Sequence, residues 1–471
     1  MKPDEFARAL AKAESDEEAA NLAKKSDRMF VRSLDQLAED SPAARGRRLT
    51  AFEAVVAYGR DVILEAMAEG AALLCESPAA AGQVLRERRE LLSLSPGQAA
   101  ARANVQVRVV EEAEKSRRLP IRDYERIARV LGLDERYVSV RAEPDVANRE
   151  LAVRLRRIGD DYPRMTALAV SAIAEAAWVA LTQIRLEEQL GIGPPHTGIE
   201  PSSNYGSPGY PAYKHGYFLA NDARERLGLG TGPLPRYLRE LCEDVLGIPL
   251  IQAELGEHIA GVTVQVGGRR AILVNVTGRN RHVYVRRSTI AHELGHLLYD
   301  IEAELRELQV DDYDELEKLA EQLPDRVEQR ANAFAIEFIA PQKAAVECYE
   351  KTGADPVGAV MDTFGISYTA ARYQLWNGLD RRLGLEELIS ERRKPDLSFE
   401  SGEAYTADYH PIQGIPVPRA GRFSAVVLHA AENKRVSWQT AADYLDCKEA
   451  QLRVASKGIR ELFPTVFRRP R

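Results

Sequence analysis

Hydrophobic residues recur every three or four positions along most of the chain, and this spacing predicts a mainly helical protein. Within residues 1–82 the pattern runs through Leu49 and Phe52, and we expect two to four helices there. Residues 141–190 repeat the spacing and predict a helical connector or hairpin. Between these two regions, shorter apolar stripes at 83–140 predict four further helices.

Short apolar runs interrupt this helical pattern in the second half of the chain. They lie at 249–251, 261–266 and 270–276, with a last one at Val283, and they predict a small sheet. The run at 271–276 is the most β-like of them. The expected fold class is therefore mainly α with a small β-sheet, an α+β protein of several domains.

Changes in composition divide the chain into segments. Glycine and proline are dense at 191–213, where they break both the helical and the strand periodicity and predict a linker. A second change in composition follows residue 385. The predicted segments are a helical N-terminal module (1–82), a four-helix region (83–140), a helical connector (141–190), the linker (191–213), a domain of strands and helices (214–385) and a C-terminal region of unassigned function (386–471).

The composition is that of an ordinary folded protein, with 45% hydrophobic and 29% charged residues among 471. A net charge of -7 argues against a polyanion as partner of the whole molecule. Four cysteines are far apart with no CxxC pair, so we expect free thiols in a reducing cytoplasm. We expect neither a hydrophobic leader nor the ~18 uninterrupted apolar residues of a membrane span.

One motif carries recognisable chemistry. His292, Glu293 and His296 form H-E-x-x-H in an otherwise apolar segment. On a helix, residues four apart share one face, so both imidazoles can reach one zinc ion. Ser288 and Thr289 are the expected N-caps of that helix. Glu293 would then lie beside the metal, where it can take a proton from a water molecule.

A catalytic zinc site takes three protein ligands, so a third is needed. The sequence predicts a second helix that ends before Pro341 and carries two carboxylates, Glu328 and Glu337. Glu328 lies among small residues, which would let the two helices pack closely. Glu337 lies among bulky residues and is the rival candidate.

H-E-L-G-H followed by E-x-x-A-N-x-F-A resembles the ImmA/IrrE family of zinc metallopeptidases, over roughly residues 216–385. The resemblance implies a minimal gluzincin site with Zn²⁺ held by His292, His296 and Glu328, and Glu293 as the base. In the family, an antiparallel strand beside the zinc presents its edge to an extended peptide. We assign that role to the run at 271–276.

The four helices of 83–140 resemble the helix-turn-helix domain of XRE-type, phage repressor-like regulators. Between Leu85 and Arg118 the net charge is +3. The resemblance places a recognition helix near Gln106 and implies either sequence-specific DNA binding or protein contacts. The predicted base contacts are Gln106, Val107, Arg108 and Glu111. The predicted phosphate contacts are Arg102 and Arg117, together with Arg88, Arg89 and Arg118.

Together these resemblances imply a regulatory zinc endopeptidase joined to a DNA-binding module. Its expected substrate is a protein, such as an XRE-type repressor, cleaved in a stress or phage-related response. Two alternatives stay open: a transcriptional regulator whose zinc domain is a sensor or structural module, and a component of a phage-defence or toxin–antitoxin system. DNA and a second copy of the chain are the other expected partners, and an acidic insert after His296 is expected to be a solvated face.

Overall fold

The computed structural model describes residues 3–75, 79–137, 166–192, 211–235, 237–266, 269–300, 308–312, 326–396 and 398–468. The chain divides into two compact units. Unit 1 combines Met1–Gly193 with Tyr409–Arg471, and unit 2 is Pro194–Asp408. Residues 386–408, which the sequence grouped with the C-terminal region, therefore belong to the same compact unit as the H-E-x-x-H motif.

The N-terminal module of unit 1 mixes helices with strands. It contains α1 (Pro3–Ala11), α2 (Asp16–Ala23), β1 (Met29–Arg32), β2 (Gln36–Glu39), β3 (Arg47–Thr50), α3 (Ala51–Tyr58), α4 (Arg60–Glu69) and β4 (Ala71–Leu73). The strands form an antiparallel sheet in the order β3-β1-β2-β4. The predicted module was purely helical. Its strands are three or four residues long, too short for an alternating pattern to stand out.

The next four helices lie where the sequence predicts helices. They are α5 (Ala79–Leu91), α6 (Pro96–Ala103), α7 (Val107–Glu114) and α8 (Ile121–Val130). Ser95 caps α6 by accepting from the backbone N–H of Gln98, and Pro96 occupies the first turn. Asn104 follows α6 in the left-handed conformation, with φ of 52°, as its turn position predicts.

A single long helix, α9 (Ala167–Leu190), represents the predicted connector. It is long and apolar enough to cross a membrane, yet 78% of its apolar window is buried inside the protein. Its buried Glu175 accepts hydrogen bonds from Arg102 and Arg419, two residues of the same unit. These contacts are those of a core helix. The rest of the predicted connector, and most of the linker at 191–213, lie outside the described residues.

Unit 2 surrounds a second four-stranded sheet. Its elements are α10 (Ala212–Arg226), β5 (Leu250–Ala253), β6 (Ile259–Val266), β7 (Arg269–Asn275), α11 (Val283–Tyr299), β8 (Leu308–Asp312), α12 (Arg326–Ile339), α13 (Gln342–Lys351), α14 (Pro356–Phe364), α15 (Tyr368–Gly378) and α16 (Ser398–Gly402). A short helical segment at Leu238–Glu240 continues as a π-helical turn at Leu241–Val245. The predicted sheet is confirmed, except that Val283 begins a helix.

The sheet of unit 2 has the strand order β5-β7-β6-β8. β5 runs parallel to β7, whereas β6 pairs antiparallel with both β7 and β8. The run at 271–276, predicted to present its edge to a peptide, lies mostly within β7. That prediction is wrong because β7 is hydrogen-bonded on both sides. Within the described residues, the edges of this sheet are β5 and β8.

Helices α10, α11 and α12 pack closely around the hydrophobic core of unit 2. A Cβ added to Gly216 in α10 would lie 2.3 Å from the carbonyl oxygen of Arg330 in α12, so glycine permits this approach. Phe334 and Phe338 stack within α12, and Tyr299 of α11 lies against Phe334. These contacts fix the position of α12 relative to α11. Most of the acidic insert that joins the two helices lies outside the described residues.

Three helices complete unit 1: α17 (Arg422–Glu432), α18 (Trp438–Tyr444) and α19 (Glu449–Leu462). Ser437 caps α18 by accepting from the backbone N–H of Thr440. Trp178 of α9 makes edge-to-face contacts with Phe423 and Tyr444. The C-terminal helices therefore share a core with the long helix α9.

Candidate metal centre

The H-E-x-x-H motif lies inside α11, which begins at Val283. The predicted N-caps Ser288 and Thr289 are therefore inside the helix. Their hydroxyls donate to the carbonyl oxygens of Tyr284 and Val285, at 3.1 and 3.2 Å, the back-bonding available to such residues within a helix. The motif thus lies more than two turns from the start of α11 and is held by a formed helix on both sides.

The two histidines converge as their spacing predicts. His292 and His296 are 1% and 0% exposed, and their Nε2 atoms lie 3.0 Å apart. Glu328, in the first turn of α12, brings Oε2 to 3.3 Å from Nε2 of His292 and Oε1 to 3.6 Å from Nε2 of His296. One ligand atom from each of the three residues lies within 4.8 Å of the others.

These separations fit one tetrahedral metal ion. Two ligands that are each ~2.1 Å from zinc at a tetrahedral angle lie about 3.4 Å apart. The observed 3.0, 3.3 and 3.6 Å bracket that value. Two imidazoles and a carboxylate are also a donor set that zinc accepts, with one position left open for water or substrate.

The rival carboxylate, Glu337, makes its hydrogen bonds with residues outside the histidine cluster. Its oxygens accept from the side chains of Asn221 and Gln374, at 3.0 and 2.6 Å, and from the backbone N–H of Gln342 at 2.9 Å. These hydrogen bonds lower the pKa of Glu337, but burial raises it by more. Of the two carboxylates weighed from the sequence, the structure brings Glu328 to the histidines.

Glu293 points toward strand β6. Its Oε2 accepts a hydrogen bond from Oγ1 of Thr263, at 2.5 Å. On the same strand, a Cβ added to Gly261 would lie 2.4 Å from Oε1 of Glu293, so only glycine leaves room for this carboxylate. Neither Thr263 nor Gly261 could be predicted from the sequence, because no motif spacing links a strand to a helix 30 residues later.

Asp300 supports the site from behind His296. Its Oδ2 lies 2.7 Å from Nδ1 of His296, and its other oxygen accepts from Arg330 of α12. A carboxylate on Nδ1 leaves Nε2 for a metal, the usual arrangement behind a histidine ligand. Burial opposes the charged imidazole, but the Glu328 and Asp300 carboxylates outweigh it and raise the pKa of His296. The spacing of four residues between His296 and Asp300 was a signal that the sequence offered.

Gly295, next to His296 in the motif, accommodates an aromatic ring. A Cβ at this position would lie 2.8 Å from Cδ1 of Phe334. The stacked aromatics of α12 therefore pack directly against α11, the helix that carries His292 and His296. This contact holds Glu328, less than two turns earlier in α12, near the histidines.

The predicted DNA contacts lie on and around α7. Gln106, Val107, Arg108 and Glu111 are exposed, as is Arg117. Arg102, by contrast, donates to Glu175 at 2.6 Å and is only 23% exposed. Of the five expected phosphate contacts, Arg102 is engaged in this ion pair, and Arg88 and Arg89 are buried. DNA binding by this region stays a prediction.

No curated protein matches the chain. Residues 244–375 match the model of a peptidase family described as the IrrE N-terminal-like domain. The matched stretch contains His292, Glu293, His296 and Glu328, and it extends from the π-helical turn before β5 into α15. This stretch of the chain is therefore similar to the domain that the family model describes.

Proposed function

We propose that unit 2 is a zinc-dependent endopeptidase that cleaves a regulatory protein. The observation that carries the proposal is the buried cluster of two imidazoles and one carboxylate, with ligand atoms within 4.8 Å of one another. Glu293 adds the residue that a purely structural zinc site would not need.

The bound zinc ion would lower the pKa of a water molecule toward neutrality and polarise the peptide carbonyl. Glu293 would act as the base that accepts a proton from the attacking water molecule and as the acid that later protonates the departing amine. Thr263 donates its hydroxyl hydrogen to Glu293 and so fixes the direction of the carboxylate. Because the motif residues are buried, bulk water does not compete for these contacts.

The substrate would bind as an extended chain near β6, the strand that touches Glu293. β6 is paired on both sides, and β8 is the edge strand beside it. A peptide would therefore add to β8 or replace it, and backbone pairing would supply affinity with little sequence preference. An XRE-type repressor is the proposed substrate, in a stress or phage-related response.

The proposal is tested by metal analysis and a cleavage assay. The purified protein should contain one zinc ion per chain, and Glu328→Ala should lose most of it. Glu337→Gln, altered in the same helix, is the matched control and should keep zinc. Glu293→Gln should keep zinc but lose cleavage of a mixed library of fluorogenic peptides. Undiminished cleavage by Glu293→Gln would end the peptidase proposal.

A transcriptional role is the second candidate, favoured by the exposed face of α7. A random-sequence DNA duplex pool selected on the protein would reveal an operator. Arg108→Ala should then weaken binding about tenfold or more, since a good base contact contributes ~1–3 kcal/mol. Operator binding that is unchanged by a chelator and by Glu293→Gln would separate this role from proteolysis.

A further inference from the structure

The turn between α18 and α19 repeats the turn between α6 and α7. Ser437 and Ser95 each cap the first helix of their pair by accepting from the backbone N–H three residues later. Nine positions after each serine lies a residue in the left-handed conformation, Asp446 with φ of 49° and Asn104 with φ of 52°. The two helix pairs therefore begin and turn at equivalent positions.

The backbone hydrogen bonds within the two turns also correspond. The N–H of Cys447 donates to the carbonyl oxygen of Ala442, and the N–H of Val105 donates to that of Ala100, both at 3.0 Å. In both pairs the residue before the second helix is extended, with ψ of 146° before α19 and 148° before α7. The same backbone turn thus joins both pairs of helices.

The buried positions of the two pairs coincide as well. Counted from the capping serine, the fourth, fifth, fifteenth and eighteenth residues are buried apolar residues in both: Ala441, Ala442, Leu452 and Ala455 in one pair, and Ala99, Ala100, Val110 and Ala113 in the other. Two helices joined by a short turn, the second free to enter the major groove, make a helix-turn-helix. Residues 437–462 therefore have this local structure, with α19 in the place of the recognition helix.

Helix α19 presents one long side to solvent. It packs on α17 and α18 through buried Leu452, Ala455 and Ile459. On other sides of the helix, Val454 is 86% exposed and the side chain of Lys457 is 89% exposed. With 14 residues, α19 is about 21 Å long at ~1.5 Å per residue, enough to cross a major groove ~12 Å wide.

Charge is divided between two sides of this helix pair. Asp443 and Asp446 face α8, where they pair with Arg122 and Arg126 at 2.7 and 2.9 Å. Residues 437–471 contain seven basic and four acidic residues, a net charge of +3, whereas the whole chain has -7. With two of those four carboxylates already paired to α8, the exposed side is basic and complements a polyanion.

The basic side chains of α19 are available to a phosphate backbone. Three of them pair with glutamates at 2.7, 3.9 and 2.5 Å: Arg453 with Glu449, Lys457 with Glu461 and Arg460 with Glu432. Ion pairs near the surface contribute little to stability, so these cations can exchange a glutamate for a phosphate oxygen. The Arg453 guanidinium also lies 3.9 Å from the ring centre of Trp438, which restricts its direction.

We propose that α19 enters the major groove of double-stranded DNA, so that unit 1 carries a second DNA-reading helix in addition to α7. The positions equivalent to the base contacts predicted on α7 are all exposed: Lys448, Glu449, Ala450 and Arg453. Lys457 and Arg460 contact phosphates, and Val454 contacts a thymine methyl group. This site goes beyond the transcriptional role considered for α7, because it holds even if α7 does not bind DNA.

A random-sequence DNA duplex pool, selected on the Arg108→Ala chain, tests α19 separately from α7. We expect enrichment of a sequence that this chain binds saturably. Adding Val454→Asp should weaken that binding about tenfold or more, because it removes the methyl contact and brings a carboxylate to the groove. Val454 is 86% exposed, so the melting temperature should not change.

Lys457→Gln in the Arg108→Ala chain tests the phosphate contacts. It should weaken binding of all duplexes alike and reduce the slope of log affinity against log salt by about 0.9, the loss of one phosphate contact. Lys12→Gln is the matched control, because it removes the same charge at an exposed position of unit 1 after α1. It should change neither the affinity nor the slope.

Three results would overturn the proposal. The first is the absence of saturable DNA binding by the folded Arg108→Ala chain. The second is equal affinity in the chains that add Val454→Asp, Lys457→Gln or Lys12→Gln. The third is a dimer that Val454→Asp converts to a monomer without a change in DNA affinity, which would make α19 a contact between copies of the chain. Peptide cleavage is measured separately, so none of these results bears on the peptidase proposal.

Discussion

Glu293 depends on Gly261, a residue on the strand opposite. A methyl group at Gly261 would come within 2.4 Å of Oε1 of Glu293 and 2.9 Å of Cγ2 of Thr289. Gly261→Ala should therefore displace the carboxylate without touching the metal ligands. We expect peptide cleavage to fall about a hundredfold, the effect of an ångström-scale misplacement of a catalytic group, at unchanged zinc content.

The control for this substitution is Gly353→Ala, where an added Cβ meets nothing within 4 Å and activity should not change. Thr263→Val, which removes the hydroxyl that donates to Glu293, should also lower the rate of peptide cleavage. Full activity in Gly261→Ala would mean that Glu293 is not held where the structure places it.

His410 should make unit 1 sensitive to acid. It is buried, its Nδ1 accepts from the backbone N–H of Ile412 at 3.1 Å, and its Nε2 lies 3.0 Å from the hydroxyl of Ser424. Burial lowers its pKa to about 4. Between pH ~6.5 and ~4, the His410 imidazole is protonated in the unfolded chain but stays neutral in the folded chain. The free energy of unfolding should therefore fall by about 3 kcal/mol as the pH drops from ~6.5 to ~4.

Urea unfolding at a series of pH values measures this effect. His410→Asn keeps an acceptor for the Ile412 N–H and cannot titrate, so its stability should vary less over the same pH range. If the free energy of unfolding varies equally with pH in both proteins, His410 does not stay neutral in the folded chain.

At the level of single residues, the sequence predicted what local spacing encodes. His292 and His296 converge because four positions span about one helical turn. Small neighbours favoured Glu328 over Glu337, and the structure brings Glu328 to the histidines. Thr263 could not be predicted, because its contact with Glu293 depends on how β6 packs against α11. Ser288 and Thr289 were misplaced as caps because residues suited to an N-cap also occur inside helices.

Among the elements, the segment at 398–408 attaches to α11 through a buried ion pair. Arg287 of α11 and Glu403 lie 2.6 Å apart and are 2% and 1% exposed. Glu403 also accepts from the backbone N–H of Leu238. Removing the carboxylate would leave a buried arginine unpaired, which costs roughly 3–5 kcal/mol. Glu403→Ala should therefore destabilise unit 2 by about that amount and weaken zinc retention.

Denaturant unfolding of the full chain measures the loss, with Glu400→Ala as control, since Glu400 lies in the same segment and packs less deeply. If Glu403→Ala unfolds at the same denaturant concentration as the unaltered chain, the segment does not stabilise α11.

Longer helices and strands were predicted correctly from the sequence, whereas the shortest strands were not. The helices from α5 to α8 and the sheet near α11 were predicted, because each spans enough residues for its periodicity to appear. The strands of the N-terminal module were not, because β4 has only three residues. The edge role given to 271–276 failed for another reason. A strongly β-like run is typical of a central strand, and strand order is not encoded in the run itself.

On the scale of the whole molecule, the chain leaves unit 1 after Gly193 and returns to it at Tyr409. Arg419 donates to Glu175 and the N–H of Ser437 to Glu53, contacts between residues more than 240 positions apart. Local sequence patterns do not predict contacts at that separation. This is why residues 386–471 appeared as one region of unassigned function, although they divide between the two units.

Because the three candidate metal ligands all belong to unit 2, bound zinc should stabilise that unit selectively. A ligand that binds only the folded state adds about 4 kcal/mol when present at a thousand times its dissociation constant. Chelation should therefore lower the temperature of the calorimetric unfolding transition of unit 2. It should also speed hydrogen exchange in α11 and α12, while α17 in unit 1 keeps its protection. Glu328→Ala should resemble the chelated protein, and further chelator should not change it. Equal loss of protection in α12 and α17 would contradict this expectation, because it would mean that the two units unfold as one.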